Sequence, residues 1–373
     1  MKLAILNLKP ITLNLFLAFH RPFSIFNLPF SIILLCASCV SDKPENTQPQ
    51  SVNLDTKNGI YISNEGNFQF GNASVSYYNS ADSTFSEDLY KSTNNRALGD
   101  VCQSICFFNN KAYIVVNNSG KVEVVDAASF KAIGTITGLI SPRYFLPISN
   151  SKAYVSDLYS NNIAIIDLNT LSKIGSIACS GWTEQMLILY GKAYITNLKH
   201  DKVYIVNTAT DILEDSIAVG FAPSDIREDK QGNIWVLCLG DNQKKIAGGL
   251  YKINPMTKSV DLSMDFPVTA AVSRLRSNSA NDTLYYLNKG VYQFPITQKN
   301  LPNSPFISEK GHTFYGLGIQ PQTSAVYVSD AIDYVQKGAI LIYNNKGQQQ
   351  RSFKGGIIPG DFYFNYTYAA SRR

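Results

Sequence analysis

The residues best equipped for recognition or catalysis gather in short polar segments that recur along the chain. Arg143 and Tyr144, Trp182 with Glu184 and Gln185, Asp225, Tyr315 and Asp361 stand in segments that open apolar runs. Glu65, Asn118 and Tyr159 stand in polar turns between two such runs. Rings mixed with amides, carboxylates and a guanidinium suit a large amphipathic ligand: the rings offer platforms for apolar faces and the polar groups fix orientation. Trp182 takes the place that Pro142 and Pro223 hold in sibling segments, so the repeat itself does not require it. It is either a ligand platform or a ring packed against a neighbouring loop. Arg143 either pairs with an Asp of a neighbouring unit or contacts ligand. Glu184 either contacts ligand or bonds exposed backbone.

Catalytic groups are sparse. Apart from His20 near the amino terminus, the histidines are His200 and His312, both in polar turns. Two isolated imidazoles do not make a His-rich metal or cofactor site, and there is no phosphate loop, nucleophile elbow or zinc-ligand spacing. The expectation is a protein that is not an enzyme and uses no metal or cofactor. The competing catalytic reading rests on Glu184, Asp225 and Asp361, three carboxylates that could ring a channel around a divalent cation such as Ca²⁺.

What positions these residues is an internal repeat. Lys111-Ala112-Tyr113-Ile114, Lys152-Ala153-Tyr154-Val155 and Lys192-Ala193-Tyr194-Ile195 each begin a strand-like run. A polar turn follows each, then a second run ending in Asp126, Asp167 or Asn207, then a third ending in Ile136, Ile177 or Ile217. The aromatic recurs as Tyr61, Tyr113, Tyr154, Tyr194, Trp235, Tyr285 and Tyr327, at intervals of 40–42 residues broken by two longer ones of 52 and 50. Four short strands at this period make a propeller blade. Seven aromatics predict an all-β, seven-bladed β-propeller over residues 59–366, with insertions near Asn79–Arg96 and Leu239–Gly249. The run Ile357-Ile358-Pro359-Gly360-Asp361-Phe362 resembles the segments that open other blades, so the carboxyl-terminal segment is expected to supply the innermost strand of the first blade and seal the ring. Residues 367–373 then form a tail.

The chain has 373 residues, 45% of them hydrophobic and 16% charged, and carries a formal charge of +5. Lys2, Lys9 and Arg21 precede an apolar stretch, Phe23 to Ala37, too short and too interrupted to span a bilayer. Residues 1–38 are therefore expected to be a signal peptide. Leu35-Cys36-Ala37-Ser38-Cys39 approximates a bacterial lipobox with Cys39 as the lipidated residue, and residues 39–58 read as a flexible tether. The rest carries a net charge of about +2 with no basic block, which argues against nucleic acid as a partner. Cys102 and Cys106 lie in one strand, about 13 Å apart when extended, too far for a disulfide, and are expected on the same side.

The Lys-Ala-Tyr-Ile/Val and Val-x-Val-x-Asp repeats resemble the YVTN-type, YncE-like propellers. The stretches Leu98-Gly99-Asp100-Val101, Ser141-Pro142-Arg143-Tyr144 and Gly181-Trp182-Thr183-Glu184-Gln185-Met186 are similar to outer-membrane lipoprotein propellers that include surface vitamin B12-binding proteins. The resemblance implies a monomer anchored to the outer membrane, at the cell surface or facing the periplasm. There it would capture a corrinoid or other large amphipathic ligand beside an outer-membrane transporter. The alternatives are an adhesion or scaffold propeller with a protein partner, and a metal-dependent, lactonase-like hydrolase.

Overall fold

The computed structural model describes residues 53–365. The signal peptide, Cys39, most of the tether and the whole tail fall outside these residues.

Seven four-stranded antiparallel sheets form the blades. Within each, strands run alternately down and up from the axle outward. The innermost strands are Pro359–Phe364 in blade one, then Cys102–Phe108, Pro142–Pro147, Thr183–Leu189, Pro223–Glu228, Ser273–Ser277 and Phe314–Ile319. Blade one is closed as expected. Its inner strand comes from the carboxyl end and pairs with Gly59–Asn64, matching Ile60 with Phe364 and Ser63 with Asp361. The two long repeat intervals are accounted for by the short helix Leu89–Asn94 and by the loop around the Asp241–Ile246 bridge.

Each pair of neighbouring blades encloses one apolar cluster, seven in all. The repeated aromatic occupies the second strand of each blade and enters a different cluster each time. Tyr61, Tyr113, Tyr154, Tyr194, Trp235, Tyr285 and Tyr327 are all buried. Alternate residues on the same strand, such as Ala112, Ile114 and Val116, pack the opposite way into the preceding cluster. A strand covered on both faces must be apolar throughout, and that is why these runs lack the polar alternation of a half-exposed sheet. Tyr113 stacks on Phe145 of the next blade at 4.3 Å between ring centroids.

All seven inner strands break register with their neighbour near their first residues, as at Pro142/Phe145, Thr183/Met186 and Ser273/Arg276. A bulge leaves extra residues outside the ladder and re-aims their side chains. Cys102 and Cys106 show the consequence. The shift between Cys102 and Ser104 turns the two thiols to opposite sides of the strand: Cys102 enters the cluster between blades one and two, and Cys106 packs against the next. The same-side expectation fails because it assumed an unbroken period of two. No disulfide joins the cysteines among the described residues.

Residues 53–58, assigned to the tether, are docked. The Leu54 side chain is buried, its N–H donates to the Ala128 carbonyl at 2.8 Å, and Asp55 accepts from the amides of Lys57 and Asn58.

Candidate functional site

The bulges bring successive polar residues of the inner strands to the axle, where they form a nearly closed belt of hydrogen bonds. Arg143 Nε donates to both carboxylate oxygens of Glu184 on the next blade, at 2.9 and 3.0 Å, and its Nη1 donates to Gln103 on the previous one. Gln185 Nε2 donates to Asp225 at 2.9 Å, and Gln185 Oε1 accepts from Arg227 at 2.6 Å. Arg276 closes the far side: Nη1 donates to Asp225 at 3.2 Å and Nη2 to Asp361, while Nε donates to the Leu317 carbonyl at 3.0 Å.

The belt is buried. Side-chain exposure is 10% for Arg276, 8% for Asp225 and 6% for Asp361. Burial pushes the Asp361 pKa up, but Arg276 and Arg274 outweigh it and hold the carboxyl below its usual value. For Glu184 burial prevails over Arg143, and its pKa lies above the usual value.

A second cluster lies nearer the mouth. Tyr315 donates its hydroxyl to Glu65 at 2.9 Å, and the Arg274 guanidinium sits 5.1 Å above the Tyr315 ring while approaching Glu65 at 3.7 Å. Arg274 holds a left-handed φ of 59° inside its bulge, a conformation uncommon for a non-glycine residue.

The loops that lead into the inner strands share one face with the loops that join second to third strands. That face carries a crown of exposed apolar groups: Phe68, Phe70, Ile140, Tyr159, Trp182, Tyr334 and Val335. Tyr159 and Trp182 meet edge to face, 6.0 Å between centroids. Side chains ending the second strands staple these loops. Asp157 accepts from the amides of Ile140 and Ser141 with one oxygen, and from those of Tyr159 and Ser160 with the other. Asn197 does the same for blade four, donating to the Ser180 carbonyl and accepting from Lys199 and His200. Gly181, with φ of 93°, passes so close that a Cβ would lie 2.6 Å from Asn197 Oδ1; a larger residue there would displace Trp182.

The sequence-derived residues thus divide into groups. Arg143, Glu184, Gln185, Asp225 and Asp361 join in the belt, and Glu65 and Tyr315 in the mouth cluster. Tyr159 and Trp182 form the exposed pair. Tyr144 lines a cavity on the axle. Asn118 donates its amide to Asp100 and so is committed to holding its own loop. Arg143 is paired across blades, with Glu184 and not with an Asp. Arg276, Arg274, Arg227 and Gln103 were missed. Arg143 and Glu184 are 41 residues apart, whereas Arg276 stands 51 beyond Asp225; extending the register across the longer repeat interval would have found it.

Each of the three carboxylates proposed to ring a cation is bonded to a guanidinium. Among the described residues no group of three or more His, Cys, Asp or Glu is arranged to hold a metal. His312 bonds Asp330 at 2.6 Å, and His200 lies 3.5 Å from the Tyr204 hydroxyl.

Solved structures share the architecture at low identity. A quinonprotein alcohol dehydrogenase-like protein from Bacteroides thetaiotaomicron superposes with a TM-score of 0.67 at 16% identity, covering 83% of this chain and 79% of that one. The dihydro-heme d1 dehydrogenase NirN superposes with a TM-score of 0.58 at 10% identity, covering 86% and 78%. The computationally designed Ika8 protein superposes with a TM-score of 0.55 at 12% identity, covering 84% and 93%. At these identities the likeness is one of fold. Among curated proteins none matches the sequence. Residues 58–362 match the family described as Domain of unknown function (DUF5074), and the chain belongs to that family.

Proposed function

We propose that the protein is a non-catalytic binding propeller that takes a large amphipathic ligand, a corrinoid being the leading candidate, on its loop face. In this reading it is anchored to the outer membrane through Cys39 and hands its ligand to a transporter there. The crown carries the proposal. Exposed rings and aliphatic side chains are concentrated at one end of the ring, beside loops held in place by Asp157 and Asn197. Contiguous exposed apolar surface with a polar surround marks an interaction site, and Trp182 and Tyr159 present two perpendicular platforms. The belt is in keeping with a non-catalytic role, because each of its carboxylates is already bonded to Arg143 or Arg276.

Calorimetric titration with cyanocobalamin tests the corrinoid assignment. Binding that Trp182→Ala weakens supports it, and no heat at micromolar protein removes it. The crown also fits a protein partner, for Phe68 and Phe70 lie on a loop that Asn67 joins to Tyr334 and Val335 of blade seven through their carbonyls. Crosslinking in cells from a photoreactive group at Phe70 to an outer-membrane protein, with no corrinoid heat, would favour that second reading.

A further inference from the structure

A cavity of about 390 Å³ lies on the axle below the belt. Its lining includes Ser279 and Pro321, in the turns that follow the inner strands of blades six and seven. It therefore opens on the face opposite the crown. Phe145, Leu187, Ile226, Ile319 and Phe364 are among its apolar walls, and its inner end reaches Tyr144, Gln185, Arg276 and Asp361.

Three of those four inner-end polar groups are engaged in the belt. Gln185 is held by Asp225 and Arg227, and Asp361 accepts from Arg276 and from the Phe362 amide. Two lining phenols differ: the Tyr363 hydroxyl is buried without a hydrogen-bond partner among the described residues, and Tyr144 is bonded there only through its backbone amide, which donates to Ser156. Burial holds both phenols' pKa values above the usual one, so they stay donors across the physiological range.

We propose that this cavity is a binding site for a small, neutral, largely apolar molecule that carries one hydrogen-bond acceptor, received by the Tyr363 and Tyr144 hydroxyls. The volume is at the low end for small-molecule sites, and apolar walls with a few convergent polar groups are their usual make-up. Neutrality follows from the belt. Arg276 is already shared by two carboxylates, and Arg227 on the same lining donates to Gln185 and to the Ile226 carbonyl, so an incoming anion would have to displace existing bonds and an incoming cation would compete with the guanidinium groups. This site is separate from the loop face and does not depend on what the crown binds.

Acetophenone, ethylbenzene and benzoate serve as probes in NMR titrations of the purified protein. Acetophenone should bind, and the double variant Tyr144→Phe, Tyr363→Phe should weaken it about tenfold, the worth of one neutral hydrogen bond, without changing ethylbenzene binding or lowering the melting temperature. Leu187→Trp, which projects a larger ring into the same space, should abolish binding of both, while Trp182→Ala should alter neither. Absence of acetophenone binding up to its solubility overturns the proposal. So does binding indifferent both to the double phenylalanine variant and to Leu187→Trp, or benzoate binding as tightly as acetophenone.

Discussion

Arg276→Met is the sharpest perturbation of the axle. The methionine keeps much of the apolar stem and removes the cation that Asp225 and Asp361 share. Removing one partner of a buried pair costs about 3–5 kcal/mol, because an unpaired charge is left where water cannot reach it. At roughly 2 °C per kcal/mol for a domain of this size, melting should fall by about 6–10 °C at neutral pH. The pH dependence identifies the cause. In the native protein the Asp361 pKa lies below its unfolded value, so its contribution is present above the ordinary carboxylate range and is lost as pH falls through the lower folded value. Without Arg276, the burial of Asp361 is opposed chiefly by Arg274, so its pKa should rise and the folded state should bind more protons. The gap between variant and native protein should therefore narrow as pH falls from about 7 toward 5. Urea unfolding at several pH values measures this. A loss below about 1 kcal/mol, or a gap that widens on acidification, refutes the belt as a buried charge network. Adding Asp225→Asn and Asp361→Asn should restore much of the loss at neutral pH.

Other outcomes follow from the same structure. Trp182→Ala should change stability by less than about 1 kcal/mol, since the ring is 42% exposed; a larger drop in urea midpoint would make the ring a packing residue. Burial pushes the Cys179 thiol up to about 12 and raises those of Cys102 and Cys238 further, so all three should resist a disulfide reagent until the protein unfolds. Fast labelling of the native protein at any of the three, located by mass spectrometry, contradicts this burial. Truncation before Pro359 removes the strand that pairs Ile60 to Phe364 and uncovers an edge inside the ring; the product should aggregate or lose its cooperative melt, and a native-like melt would show that the closure is dispensable.

Blade number, strand order and ring closure were legible because each rests on a repeated apolar pattern. Tyr61 through Tyr327 recur for a packing reason, one ring per inter-blade cluster, and a packing requirement leaves a periodic trace. The belt left a weaker one. Its members are chemically different in every blade, Arg143 here, Glu184 and Asp225 there, so only their register recurs, and the insertion before blade six hid Arg276. The bulges had no signature in residue type at all, and the sides taken by Cys102 and Cys106 could not be derived without them. Nor could the placement of Tyr144 apart from Arg143, because two adjacent residues serve different neighbours only where the ladder is broken.

The route by which the chain reaches its ring orients the whole molecule. Leu54 docks beside Ala128, and Gly59 begins its strand at the end of the axle where Phe364 finishes. The axial cavity opens at that same end, while Phe70, Trp182 and Val335 stand at the other, so an occupant of one mouth and an occupant of the other need never meet.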